Sequence, residues 1–251
     1  RLGQALGTYA AMQSLGMLSA PLVSGVSSLL TWRLTFLVTA AAAAFILIVR
    51  LPVVPPPAQS DNAAAGRVRV VPTLTHMATS FVVGCGVIGL GFMTSLHVGE
   101  VFGLGPVGRG LVIMAGGTAA FLASRRIGAM ADRYGIPNVL VLSGVLAALA
   151  LFILPVAPWV VLVALVWAAA VMAAQGMQAT INLAVIRGPA GSSLISTVQA
   201  FRFFGSAAAP VLFLPVYVGI GGAAFWVAAA ALASVAAAQW GLGRAELRRA
   251  A

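Results

Sequence analysis

Eight apolar runs, each long enough to cross a bilayer, leave this chain few ways to fold. They lie at roughly 4–28, 32–53, 71–97, 107–127, 138–157, 159–186, 193–217 and 219–242, and a helix needs about 20 such residues to span the hydrocarbon core. Of the 251 residues 61% are hydrophobic and only 7% charged, where a soluble domain carries about 25% charged. A water-facing globular fold is excluded on that ground. Alternation of period two is absent, so a transmembrane barrel is not expected either. The expected class is an all-α, polytopic membrane protein. Glycine and proline inside the runs, as at Pro21, Gly84, Gly86, Gly89 and Pro210, fit helices that pack closely and repair broken backbone bonds through neighbours.

The basic residues orient the runs. The net charge is +10, and all the basic residues are arginine. In a soluble protein such an excess points to nucleic acid; here the arginines sit at the ends of apolar runs, and no nucleic-acid partner is expected. With eight spans both termini share one side, and that side holds Arg1, Arg50, Arg67, Arg69, Arg125, Arg126, Arg133, Arg187, Arg244, Arg248 and Arg249. Only Arg33 and Arg109 fall on the other. Positive charge stays in the cytoplasm, so both ends are expected there. The densest loop cluster is Ser124–Asn138, SRRIGAMADRYGIPN, read as a charged cytoplasmic connection.

One connection differs from the rest. Residues 54–70, VPPPAQSDNAAAGRVRV, read as a flexible linker with residues 1–53 before it and 71–251 after it. An internal repeat accounts for that uneven division. A shift of 189 lays Gly7–Pro21 over Ser196–Pro210, with identities at Thr8/Thr197, Ala11/Ala200, Gly16/Gly205, Ala20/Ala209 and Pro21/Pro210. The first span is then equivalent to the seventh.

These features resemble the major facilitator superfamily of transporters, whose halves are parallel repeats of six helices. The loop GAMADRYG is similar to the superfamily's G-x-L-A-D-R-x-G signature at Gly128, Ala131, Asp132, Arg133 and Gly135, departing at Met130 and at Ile136-Pro137. In relatives this loop latches the cytoplasmic gate; Gly128 and Gly135 permit a tight turn. The first span resembles the antiporter motif G-x8-G-x3-G-P-x2-G-G at Gly7, Gly16, Pro21 and Gly25, with Ala20 and Ser24 in place of glycines. Trp32-Arg33 is similar to the pair that opens the sixth helix of such exporters. The resemblance implies two bundles rocking about a central site, with this chain running from the fifth to the twelfth helix. Residues 1–53 would close the first bundle and 71–251 would form the second. It also implies a monomer in the inner (plasma) membrane that exports amphipathic small molecules in exchange for protons. An uptake permease for a small metabolite, or a non-transporting scaffold or receptor, are the alternatives.

Polar residues inside spans mark the expected cavity. Gln175, Gln178 and Asn182 stand at i, i+3 and i+7, on one face of the sixth span. They line a water-filled cavity or hydrogen-bond a neighbouring helix, and the spacing leaves both open. Arg202 lies about two turns inside the seventh span, opposite Gln13 in the repeat. A charge at that depth costs about 2.5–3.5 kcal/mol on insertion scales, which favours a cavity-facing position over snorkelling. Phe201, Phe203 and Phe204 beside it stack on a substrate or pack against helices and lipid. His76 reads as an interfacial hydrogen-bonder, and His97, Glu100 and Arg109 as residues of an outer loop or gate. With Asp61 in the linker, Glu100 outside, Asp132 in the latch and Glu246 in the tail, no span as drawn holds an acid. The coupling carboxylate is therefore expected ahead of Arg1. Hydrolase, metalloprotease and phosphate-loop motifs are absent, and no cofactor, metal site or enzymatic activity is expected. The single Cys85 allows no internal disulfide.

Overall fold

The computed structural model describes residues 2–49, 69–188 and 191–250. Residues 54–68 of the expected linker, with Asp61, lie outside them. The described residues form helices and short turns, with no strand. In chain order the helices are α1 (Leu2–Ser27), α2 (Leu34–Val49), α3 (Val70–Val83), α4 (Gly91–Phe102), α5 (Pro106–Tyr134), α6 (Ile136–Ile153), α7 (Val160–Arg187), α8 (Gly191–Ile220) and α9 (Ala224–Ala250). A π-helical turn over Gly84–Ile88 joins α3 to α4, so the nine described helices make eight rods. Among the described residues five stretches are long and apolar enough to cross a membrane, the last of them, Leu194–Ala245, holding most of α8 and α9. The first expected span is helical but is not among the five, since Gln13, Ser14, Ser19 and its glycines dilute its apolar character. The second is apolar throughout but only 16 residues long.

Local chemistry sets the ends. Gly103, at φ 66°, closes α4 in the left-handed conformation, which a Cβ penalises and glycine accepts. Pro106 then opens α5 in its first turn, where the missing N–H costs nothing. The expected Ser124–Asn138 loop is a correction. α5 continues to Tyr134, and the whole turn is one residue, Gly135, at φ 87°. Gly128 is buried inside α5 and takes no part in the turn. Alanine, methionine and arginine are good helix formers, and Ala131 packs with Val139, Leu183, Ile127 and Ile136 under the turn. That small core makes the helix worth extending.

Close backbone approach organises the packing. α1 lies along α5, where a Cβ on Gly7 or Gly25 would press on the Ser124 or Pro106 carbonyl. From the other side, Gly110 and Gly117 admit the backbone of Pro21 and Leu18. In a bilayer, where lipid is as apolar as leucine, such van der Waals contact drives association. Of the antiporter-like residues, Gly7 and Gly25 therefore meet α5, and so does the backbone of Pro21. Gly16 and Ala20 lie on an exposed face of α1.

The second crossing is tighter. Added to Gly84, a Cβ would run into the backbone of Arg202; added to Gly205, into the Phe81 carbonyl; added to Gly89, into Ala209. The π turn sits at this crossing, with the Gly89 amide bonded to the Gly84 carbonyl at 2.7 Å. Glycines in and beside the π turn and in α8 thus draw the α3–α4 rod and α8 together at the level of Arg202. The remaining core fills the space among α3–α9, with Leu90, Met93, Leu151, Met177, Ile181, Phe225 and Leu232 fully buried.

Candidate functional site

α7 carries the polar face. Gln175, Gln178 and Asn182 are all buried, at 3%, 2% and 8% exposure. Arg202 of α8 is buried to 6% exposure, and its Nη2 donates to Gln175 Oε1 at 2.8 Å. Gln175 Nε2 donates in turn to Ser14 Oγ of α1 at 3.1 Å, and Ser14 Oγ donates to the Ala10 carbonyl at 2.8 Å. One glutamine thereby ties α1, α7 and α8. Gln178 Nε2 donates to Asn182 Oδ1 at 3.1 Å, while Gln178 Oε1 is buried with no hydrogen-bond partner among the described residues.

A cavity of about 420 Å³ lies against this network. Gln13, Gln175, Gln178, Asn182 and Arg202 all line it, so the five polar residues singled out from sequence meet in one place. All three α7 amides line the cavity; Gln175 also bonds α1 and α8, while Gln178 bonds Asn182 on its own helix. Gln13 and Arg202, equivalent under the repeat, face the same space from α1 and α8. Ser196 and Gln199 also line it and were missed. Gln199 stands three residues before Arg202, the same spacing that revealed the α7 face. Of the three phenylalanines only Phe203 lines the cavity; Phe201 and Phe204 pair edge to face at 6.2 Å.

Among the described residues no Asp or Glu lines this cavity. Its described lining sets one guanidinium among amides, a serine hydroxyl and apolar groups.

A second cavity of about 370 Å³ opens at the arginine-rich end, lined by Arg69, His76, Arg187, Pro137, Gln239 and, from α8, Leu194. His76 is 3.2 Å from Gln239 Nε2 through Nδ1, and the same amide nitrogen donates to Thr79 Oγ1 at 2.7 Å. That joins α3 to α9, as a hydrogen-bonding histidine would. Nearby, Arg187 Nη2 meets Asp132 Oδ1 at 2.9 Å. The pair is partly solvated, and such pairs contribute about 0–1 kcal/mol; its consequence is geometric, pinning the end of α5 to the end of α7. Arg133 instead lies over Tyr134, 5.3 Å from the ring.

The far end holds a second correction. Glu100 is part of α4, within the candidate span Val70–Phe102, and not in a loop. Tyr217 of α8 donates its hydroxyl to Glu100 Oε2 at 2.7 Å. His97, one turn earlier, is buried edge-on against Phe225 at 5.5 Å and Tyr217 at 6.4 Å. Arg109 Nε bonds the Leu104 carbonyl at 2.7 Å. Among the described residues no group of three or more His, Cys, Asp or Glu could hold a metal ion.

Helices of membrane-spanning length surround a cavity to which helices distant in sequence contribute polar side chains. The family model of the Major Facilitator Superfamily matches residues 1–212, and the chain belongs to that superfamily of secondary transporters. No curated protein matches the chain.

Proposed function

We propose that the chain exports a small amphipathic molecule by alternating access through the Arg202–Gln175 cavity, in exchange for protons. The observation that carries this reading is the convergence of α1, α7 and α8 polar groups on one cavity of about 420 Å³, within the size range of small-molecule sites. Export and proton exchange rest on the antiporter-like first helix, whose Gly7 and Gly25 meet the α5 backbone. Glu100, hydrogen-bonded by Tyr217, places a carboxylate inside a described helix. In this reading α1 and α2 belong to one bundle and α3–α9 to the other, as the repeat of α1 onto α8 suggests.

Ser196 is exposed and lines the cavity, so it offers a handle. In cells, a Ser196→Cys variant on a Cys85→Ala background should export fluorescent amphipathic compounds until a bulky maleimide is attached. Export that ignores the label, or no export by the unlabelled variant, would overturn the reading.

The arginine-rich end, where Arg69, Arg187 and Gln239 share a cavity, is assigned to the cytoplasm of a plasma-membrane protein on charge. Asn138 is exposed at that end. Cysteine placed there in the same background should react with a membrane-impermeant thiol reagent only after cells are opened. Labelling from outside intact cells would reverse the orientation.

A further inference from the structure

We propose that the groove between α6 and α9 is a binding site for one anionic phospholipid, with an acyl chain in the groove and the phosphate at Arg244. The site is separate from the Arg202 cavity and holds whether or not that cavity carries cargo. The groove has a volume of about 350 Å³ and faces outward, with Val145, Leu149 and Trp240 all exposed on its walls. Both helices belong to stretches long and apolar enough to cross a membrane, so what such a face meets is lipid. Packing makes the furrow. A Cβ on Gly144 would collide with Ala236, and one on Gly243 would crowd Pro137, so α6 and α9 meet closely at both points. Beside that seam Ala148, Ala233 and Ala237 are too short to fill the space between the larger side chains.

The groove alone does not choose its lipid, because acyl chains are as apolar as the side chains around them. Charge at its mouth does. Ala233, Ala237, Trp240, Arg244 and Arg248 stand at i, i+4, i+7, i+11 and i+15, on one face of α9. That face is apolar along the groove and basic where it ends. Trp240 lines the groove near the close of the candidate span at Ala245, and the Arg244 guanidinium lies over its ring at 3.8 Å. Stacking occupies the face of the guanidinium and leaves its edge, where the N–H donors are, to meet phosphate oxygens. Arg248, one turn further on, is exposed and adds a second positive charge. An apolar furrow, an indole at its end and basic side chains beyond follow the order of a phospholipid from chain to headgroup. A second copy of the chain fits this face poorly. Two-fold pairing within one membrane would bring Arg244 and Arg248 of both copies to the same depth.

Two lipids with identical acyl chains test this: phosphatidylglycerol, which is anionic, and phosphatidylcholine, whose headgroup carries its own positive charge. Each is offered to the chain purified in detergent, and native mass spectrometry counts the lipids retained. One phosphatidylglycerol should stay bound, with affinity about tenfold above phosphatidylcholine, a ratio within reach of two arginines at a membrane surface. Arg244→Gln combined with Arg248→Gln should bring that ratio to about one. Ala237→Phe fills the groove from an outward-facing position and leaves both arginines in place; it should elute as folded protein and lose the bound lipid. Ala233→Phe fills the same groove one turn away and should do the same. No retained lipid, equal retention of the two, or a preference that survives loss of both arginines would overturn the assignment. A lipid still held by both phenylalanine variants would show charge without a groove and overturn it equally. So would a parent that runs as a dimer and becomes a monomer on Ala237→Phe, because the occupant would then be a second copy.

Discussion

Valine in place of Gly84 is expected to remove nearly all monodisperse protein from detergent extracts, while Gly241→Val leaves the yield unchanged. Both glycines are helical or near-helical, but a Cβ on Gly241 meets nothing within 4 Å. On Gly84 it meets the Arg202 carbonyl and the Cα beneath it. Where side chains can turn aside, overpacking costs about 1–3 kcal/mol. Here the obstacle is backbone, so α8 must shift bodily. Gly205 and Ala209, which face α3 and the π turn from the other side, would lose their contacts with it. Contact is most of what holds membrane helices together, so the crossing has little to fall back on. Size-exclusion chromatography, normalised to the amount of chain in the membrane, provides the measurement. A Gly84→Val protein eluting like the parent would show that the α3–α8 approach is slack.

Gln175→Leu is expected to lower the unfolding temperature by about 3–10 °C, from the loss of a hydrogen bond to a charged group at about 1.5–3 kcal/mol and the usual scaling for chains of this length. The substitution keeps volume and removes both ends of the tie, so α1 loses its polar link to α7 and the buried guanidinium loses an acceptor. Cys85 is buried and is the only cysteine, so a dye that fluoresces on reaction with thiols reports unfolding without any added label. Gln175→Glu retains the acceptor and should melt no lower than the parent. A melt of Gln175→Leu that coincides with the parent's would mean that the three-helix tie contributes nothing to stability, and the polar network would then be a feature of the cavity alone.

The rods were legible in the sequence to within about eight residues at their ends because a bilayer leaves the backbone no partner but itself. Apolar length therefore translates directly into helix, as at Val160–Arg187 against the expected 159–186. Legibility failed where that rule has no force. At Ser124–Tyr134 charge suggested a loop, but a helix emerging from the membrane is as content with arginine as a loop is, and α5 simply continues. Glu100 was assigned to a loop for the same reason, though its carboxylate is held on α4 by a tyrosine more than a hundred residues away. Neither charge carries in its immediate sequence any sign of the partner that decides its place.

The candidate site divides along the same line. Spacing alone put Gln175, Gln178 and Asn182 on one face, since three and seven residues return to the same side of a helix, and the cost of a buried charge alone argued that Arg202 faces a cavity. Which groups meet was decided in three dimensions. Gln175 bonds Ser14, 161 positions earlier in the chain, Arg202 reaches Gln175 from α8, and Gly84 and Gly205 let α8 meet the rod of α3 backbone to backbone at that level. Helix periodicity is a property of neighbours along the chain and is written in one dimension. The crossing of two helices depends on the absence of side chains at two remote points at once, and that coincidence exists only in the folded molecule.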